Sequence, residues 1–270
     1  LDRAYVTAKA KIDKNFSARI TTDVGYLRGS ADSKARPFLK YAYLEWKNTL
    51  PGMKLRLGMA GNGWTGYADK FTGLRYITKS FTDRRKQTAS ADIGVHAVGK
   101  TLGKKLAYHL SFVNGEGYGQ PEDDDTKSVQ LRVSYDVLGR KRKKLPVSVF
   151  VTQELGREET PLTQYAASLA YKGKPVTLWG EFYGRHQGDD AGNGFSITAV
   201  PKLGKLGHLI ARFDQWDFST PNRDDKGQTI LAGLGRKYGK KVKCALMFEQ
   251  EVRNDDKPTQ LITVRVQAGF

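Results

Sequence analysis

Apolar and polar residues alternate one by one along most of this chain, and turn-forming residues interrupt the alternation about every ten positions. The last segment shows it best. In Gln260 to Phe270 one face carries Ile262, Val264, Val266, Ala268 and Phe270, and the other carries Thr263, Arg265, Gln267 and Gly269. A period of two over nine residues fits a strand and not a helix. Residues 3–12 set Ala4, Val6, Ala8, Ala10 and Ile12 against Arg3, Tyr5, Thr7, Lys9 and Lys11. Segments 16–25, 53–60, 88–98 and 127–137 repeat the pattern, placing Arg19, then Lys54 and Arg56, then Asp92 and His96, then Arg132 on the polar face.

Weaker copies lie at 38–47, 104–113, 146–155, 162–172, 175–185, 194–203, 206–216, 228–238 and 241–251, which with 259–270 predicts fifteen strands. Strand would then fill well over half the chain, against roughly 20–25% in ordinary globular domains. A single large sheet accounts for that excess. The joining segments alternate in kind. One set is short and basic, as in Asp13-Lys-Asn15, Leu138 to Lys144 and Lys172-Gly-Lys174. The other is longer and mostly acidic: 26–36, 61–87, 114–126, 156–161, 186–193, 217–227 and 252–258. Tight turns at one rim and loops at the other are the signature of a transmembrane antiparallel up-and-down β-barrel, so the fold class expected is all-β, one domain over 1–270.

Bulk composition alone points elsewhere. Hydrophobic residues make up 39% of the chain, and mean hydropathy is −0.54, values typical of a soluble protein. No run reaches the ~18 apolar residues of a spanning helix, but a barrel strand needs an apolar residue only at every second position. The net charge of +17 suggests nucleic-acid binding at first. The basic turns are spread over seven sites without a stripe of stacking aromatics, which argues against it. The one cysteine, Cys244, excludes an internal disulfide framework. A start at Leu1 is compatible with a removed signal peptide. With a periplasmic C-terminus, fifteen strands put Leu1 outside, so either a first strand is missing from a sixteen-stranded protein or the count is off by one.

The apolar face is expected to meet lipid. Many of its positions are small, as at Ala89, Ala91 and Gly180, which would leave voids in the packed core of a soluble sandwich. Recurrent aromatics such as Phe16, Trp46, Phe112, Tyr135, Tyr171, Tyr238 and Phe248 would form the interfacial girdles. The polar face then lines a lumen carrying Arg3, Lys9, Lys11, Arg19, Lys54, Arg56, Arg132, Arg185, Arg212 and Arg265, with fewer acids: Asp23, Glu45, Asp92, Glu181, Asp214 and Glu249. A cationic lumen favours small anionic solutes. Segment 61–87 is too long for a passive connection and mixes aromatics with Lys70, Arg75, Lys79, Arg84 and Arg85, as an inserted constriction loop would. Acidic tips such as Glu122-Asp-Asp-Asp125, Glu158-Glu159 and Asp255-Asp256 are solvated, or bind divalent cations that bridge lipopolysaccharide.

The stretches Arg3-Ala-Tyr-Val-Thr-Ala-Lys-Ala, Asn15-Phe-Ser-Ala-Arg-Ile-Thr-Thr-Asp23, Lys40-Tyr-Ala-Tyr-Leu-Glu-Trp46 and Met53-Lys-Leu-Arg-Leu-Gly58 follow an order that resembles the phosphate-selective porins (O and P) and related proteobacterial porins. The final Val264-Arg-Val-Gln-Ala-Gly-Phe270 looks like the assembly signal that barrel-insertion machinery reads, with Phe270 as its terminal aromatic. The resemblance implies a sixteen-stranded, often trimeric, anion-admitting porin in the bacterial outer membrane, surrounded by its lipid and lipopolysaccharide. No phosphate-binding ladder can be matched residue by residue, so phosphate specificity does not follow. No cofactor or metal site is expected, and the four histidines fall in no catalytic motif, so an enzyme is not expected. The alternative is a barrel scaffold that houses or docks a secretion or electron-transfer partner.

Overall fold

A computed structural model describes residues 4–26, 35–122, 124–140, 142–156, 160–220, 224–239, 241–254 and 256–269. Arg3 and Phe270 lie outside the described residues, as do Glu158, Glu159 and Asp255 of the acidic tips.

The strands are β1 (Ala4–Lys11), β2 (Phe16–Tyr26), β3 (Ala35–Lys47), β4 (Met53–Gly61), β5 (Ala91–Thr101), β6 (Leu106–Val113), β7 (Lys127–Asp136), β8 (Pro146–Leu155), β9 (Thr163–Lys172), β10 (Val176–Gln187), β11 (Asp190–Pro201), β12 (His208–Asp217), β13 (Lys226–Tyr238), β14 (Val242–Arg253) and β15 (Thr259–Ala268). They form one antiparallel meander in sequence order, each strand bonded to the one before and the one after it. Among the described residues β1 and β15 are its two edges. Every alternating segment read from the sequence is therefore a strand.

One connection departs from expectation. Segment 186–193 was predicted to be a long loop from its Gly and Asp content. Instead β10 and β11 stay paired to Gln187↔Asp190, and a two-residue turn joins them. Gly188 takes φ +58° there, the left-handed conformation such a turn needs at its first position. A Gly-Asp pair closes a tight hairpin as readily as it marks a loop.

The two faces differ as the alternation demands. Ile20, Leu57, Ile93, Leu110, Leu169, Ile197 and Leu246 are exposed on one side, and Ile262 and Val264 reach 73% and 72% exposure. In water such a continuous apolar surface would drive aggregation; against hydrocarbon it is the required surface. Aromatics border it at both ends. Toward the turn ends lie Phe16 stacked on Trp46 at 5.6 Å, with Tyr135 and Tyr238. In the loop half lie Phe112, Tyr165 beside Phe182 at 6.3 Å, and Phe195 beside Phe213 at 5.9 Å. Ala91, predicted to face outward among small residues, is instead fully buried. The segment after β6 covers it, with the Tyr118 amide donating to the Ala91 carbonyl at 3.0 Å.

The buried apolar side chains gather on the inner face in two clusters. In the first, Trp64, Ala68, Phe71 and Phe81 pack on Phe150, Ala166, Ala170, Trp179, Tyr183, Trp216 and Phe218. In the second, Leu74 and Ile77 pack on Val200, Ile210, Leu231, Ala245 and Met247. Both join segment 62–90, between β4 and β5, to the inner wall of β8–β14. Each large side chain so buried contributes roughly 1.5–3 kcal/mol.

Candidate functional site

Segment 62–90 folds inward because its sequence gives it both a start signal and an apolar side. Asn62 accepts the Trp64 and Thr65 amides at 2.7 and 3.1 Å, an Asx turn that opens helix α1 (Thr65–Thr72). Gly73, at φ +75°, ends it by donating to the Asp69 carbonyl. A second short helix, α2, spans Phe81–Arg84.

Polar contacts fasten the segment to strand after strand. The Trp64 indole donates to Glu181 on β10 at 3.0 Å, and Ser148 on β8 donates to the Tyr67 hydroxyl at 3.1 Å. Lys172 on β9 donates to the Phe71 carbonyl at 2.6 Å, and Arg212 on β12 donates to the Lys79 carbonyl at 2.8 Å. Arg84 and Arg85 both reach Glu251 on β14, at 2.7 and 3.0 Å, and Arg84 also pairs with Glu249. The Arg85 guanidinium lies 3.4 Å above the Trp216 ring.

On its other side the segment carries an ion-pair cluster. Arg75 binds Asp83 at 2.6 Å and Asp69 at 3.5 Å, and Lys79 binds Asp83 at 3.2 Å. Burial would raise the Asp83 carboxyl, but Arg75 and Lys79 outweigh it and hold that group below its ordinary value. Burial dominates at Asp69, where the more distant Arg75 offsets it only in part, and its pKa is pushed up to about 6. Asp69 and Arg75 lie within Coulombic range of Tyr41 on β3, and Arg75 of Tyr5 on β1. The cluster therefore faces the wall made by β1–β4, which the segment leaves uncovered.

That wall is basic and aromatic. The Arg19 guanidinium stacks 4.5 Å from the Tyr41 ring while its Nε donates to Thr21 at 3.0 Å. Arg56 lies 5.0 Å from the Tyr43 ring. Lys54 and Arg56 bind Glu45 at 2.7 and 2.9 Å. Lys9 pairs across β1–β2 with Arg19, and Lys11 with Ser17. A bulge between Thr21 and Thr22 leaves Lys40 out of the register. Lys40 is only 2% exposed; its ammonium sits 3.5 Å over the Tyr118 ring and donates to Ser90.

The expected site residues thus divide. Lys9, Lys11, Arg19, Lys54 and Arg56 line the open wall, and Lys70, Arg75 and Lys79 are accessible on the inserted segment. Arg185 and Arg265 are half-buried on β10 and β15. Arg132 and Arg212, each 7% exposed, are covered by the segment. Arg132 lies 4.4 Å from the Tyr67 ring, and Arg212 is held in a fork with Asp214 at 2.7 and 2.8 Å. Arg84 and Arg85, expected to narrow a passage, are fastened to the wall. The reason is the pair Glu249 and Glu251 on one face of β14, which draws them there. Sequence reading put Tyr5 on the polar face but gave it no role, and passed over Tyr41 and Tyr43. Those two share the inner face of β3 with Glu45, and counting back by twos from Glu45 would have found them.

At the loop end the lumen opens into a cavity of about 570 Å³ between β5–β9 and the inserted segment, lined by Asp83, Asp92, Glu154, Lys79, Lys86 and Gln130 among others. Of the histidines, His96 and His109 sit against each other with ring nitrogens 3.3 Å apart, and His208 meets the Tyr76 hydroxyl at 3.2 Å.

No protein-family model and no curated protein matches the chain. Solved structures do. OmpF of Salmonella typhi, in complex with daunomycin, aligns with a TM-score of 0.68 at 10% identity, over 98% of this chain and 89% of the other. The anion-selective porin of Comamonas acidovorans aligns at 0.63 and 14% identity, over 98% and 87%. OmpT of Vibrio cholerae in its trimer form aligns at 0.59 and 13% identity, over 98% and 88%. At these identities the likeness speaks to architecture alone, and together with the meander and its two faces it shows that this chain has the β-barrel fold of bacterial outer-membrane porins.

Proposed function

We propose that the chain is a diffusion channel of the bacterial outer membrane, that segment 61–87 narrows it, and that small anions pass between that segment and the β1–β4 wall. The observation that carries this reading is the charge of the uncovered wall. Lys9, Lys11, Arg19, Lys54 and Arg56 stand there against Glu45 and the buried Asp23. Elsewhere Asp214 is paired with Arg212 and Glu249 with Arg84, Asp92 accepts from the Gly115 amide, and Glu181 accepts from the Trp64 indole. A fixed cationic surface in a water-filled passage concentrates anions and lowers their entry barrier. The anion selectivity of the Comamonas porin, which shares the fold, supports the same sign.

Closure of the sheet is part of this reading. Strands β1 and β15 run in the same direction, so antiparallel closure takes one further strand between them. The exposed apolar face supports a barrel surrounded by lipid and lipopolysaccharide. A homotrimer is supported by the trimer form of the Vibrio OmpT fold relative. The insertion machinery would read the C-terminal strand.

Removing residues 64–84 and recording single-channel conductance tests the constriction. The reading expects conductance to rise severalfold with weaker ion discrimination. Unchanged conductance and selectivity would contradict it.

A further inference from the structure

Resting on the anion-channel reading, we infer that the β1–β4 wall is a recognition stripe for aromatic carboxylates. Three inner-face tyrosines converge there. Tyr41 and Tyr43 are two apart on β3 and share its inner face, and Tyr5 lies on that face of β1, one pair along from Thr7↔Thr21. Among them stand the cations of neighbouring strands. Tyr43 is directly opposite Arg19, which in turn is opposite Lys9. Residues so paired bring their side chains within about 5 Å of one another. The result is a patch in which the Tyr41 and Tyr43 rings lie beside Arg19 and Arg56, with Tyr5 at its edge opposite the buried Asp23.

The pairing state of the cations sharpens the assignment. Arg56 and Lys54 are partly neutralised by Glu45. Arg19 is not: among the described residues its contacts are the Tyr41 ring and the Thr21 hydroxyl, and no carboxylate pairs with it. Those two contacts hold the guanidinium flat while its terminal amino groups remain for an anion. A guanidinium offers a carboxylate two parallel donors and also stacks on a ring. Benzoate presents a carboxylate attached directly to a ring, the same juxtaposition that Arg19 and Tyr41 offer at 4.5 Å. Chloride or an aliphatic acid can use the cation but gains nothing from Tyr5, Tyr41 and Tyr43.

The test compares benzoate with cyclohexanecarboxylate, which matches it in charge and ring size and lacks the π system. Reversal potentials across planar bilayers holding the whole protein, with each sodium salt opposed to sodium chloride, give both permeabilities relative to chloride. The stripe predicts that benzoate passes about threefold or more better than its saturated counterpart, in line with the small energy of one aromatic contact. Tyr41→Leu with Tyr43→Leu should bring that ratio to about one while leaving the chloride-to-sodium ratio in place. Tyr41→Phe with Tyr43→Phe should keep it. A ratio near one in the unaltered protein overturns the inference, as does a ratio that survives both leucine substitutions. A preference for sodium over chloride would instead fail the anion reading. The aromatic-to-saturated ratio is measured separately, so the two failures can be told apart.

Discussion

The indole nitrogen of Trp64 donates to the carboxylate of Glu181 at 3.0 Å, across 117 positions of sequence and from the inserted segment to the far wall of the barrel. Both residues are buried, and the Trp64 ring also lies 5.7 Å from Phe150 and 6.0 Å from Trp179. This contact turns a long connection into a fixed internal structure. Trp64→Ala removes the hydrogen bond and leaves a large void, a change that typically costs 3–5 kcal/mol where the site cannot collapse. The expected result is a barrel that still inserts but whose segment 62–90 becomes protease-sensitive, read by limited proteolysis in detergent. Glu181→Gln keeps an acceptor and should leave that segment protected.

Arg84 and Arg85 close the opposite end of the segment on Glu251, which Arg253 also binds. Glu251→Ala leaves two guanidiniums without their shared partner, one of them nearly buried. Breaking a pair in this way costs more than the pair contributes, on the order of 1–3 kcal/mol here, because the remaining charge stays partly desolvated. Single-channel records should show added flicker as this end detaches. Arg84→Lys, which keeps one ion pair, should show less.

Asp69 is expected to make ion selectivity beside the inserted segment depend on pH. Its folded pKa near 6 is above its ordinary value, because burial penalises the charged form more than Arg75 favours it. The sign follows from linkage. Folding is favoured by the protonated carboxyl, so this group's contribution is fully present below about pH 4, declines as pH rises toward about 6, and is absent above that. In the pore, acidification from pH 7 to 5 removes one negative charge facing Tyr41, so chloride preference should rise over that interval. Asp69→Asn should hold the higher preference at both pH values, measured as reversal potentials in a KCl gradient.

The two classes of arginine should separate on neutralisation. Arg19→Gln removes a charge from the open wall and should lower chloride selectivity with little effect on thermal stability. Arg212→Gln strands the buried Asp214 carboxylate and releases the Lys79 carbonyl. It should cost on the order of 3–5 kcal/mol, as removal of one member of a buried pair does. Its effect on selectivity should be smaller than that of Arg19→Gln. Thermal shift of the heat-modifiable band and bilayer recordings on the same two variants distinguish them.

Fold was far more legible than site. A period of two is a local property, and it places Ile262, Val264 and Val266 on one face whatever the remainder of the chain does. Where composition misled, at 186–193, the same Gly and Asp residues serve a tight turn or a loop. The destination of segment 61–87 could be suspected from its length and its aromatics. Which strands it would meet could not, because Trp64–Glu181 and Arg84–Glu249 are contacts across more than a hundred positions. For the same reason a list of inward arginines could not separate Arg19, stacked on the open wall, from Arg212, held beneath the segment by Asp214. Nothing on either side of Arg212 in sequence announces what covers it.

Zero-current potential in a tenfold KCl gradient across a planar bilayer, with the purified protein inserted from detergent, tests the central claim most directly. An open, cationic, loop-narrowed lumen predicts stepwise conductance and a reversal potential of the sign set by chloride. Absence of steps, or a potential of the sign set by potassium, would contradict it.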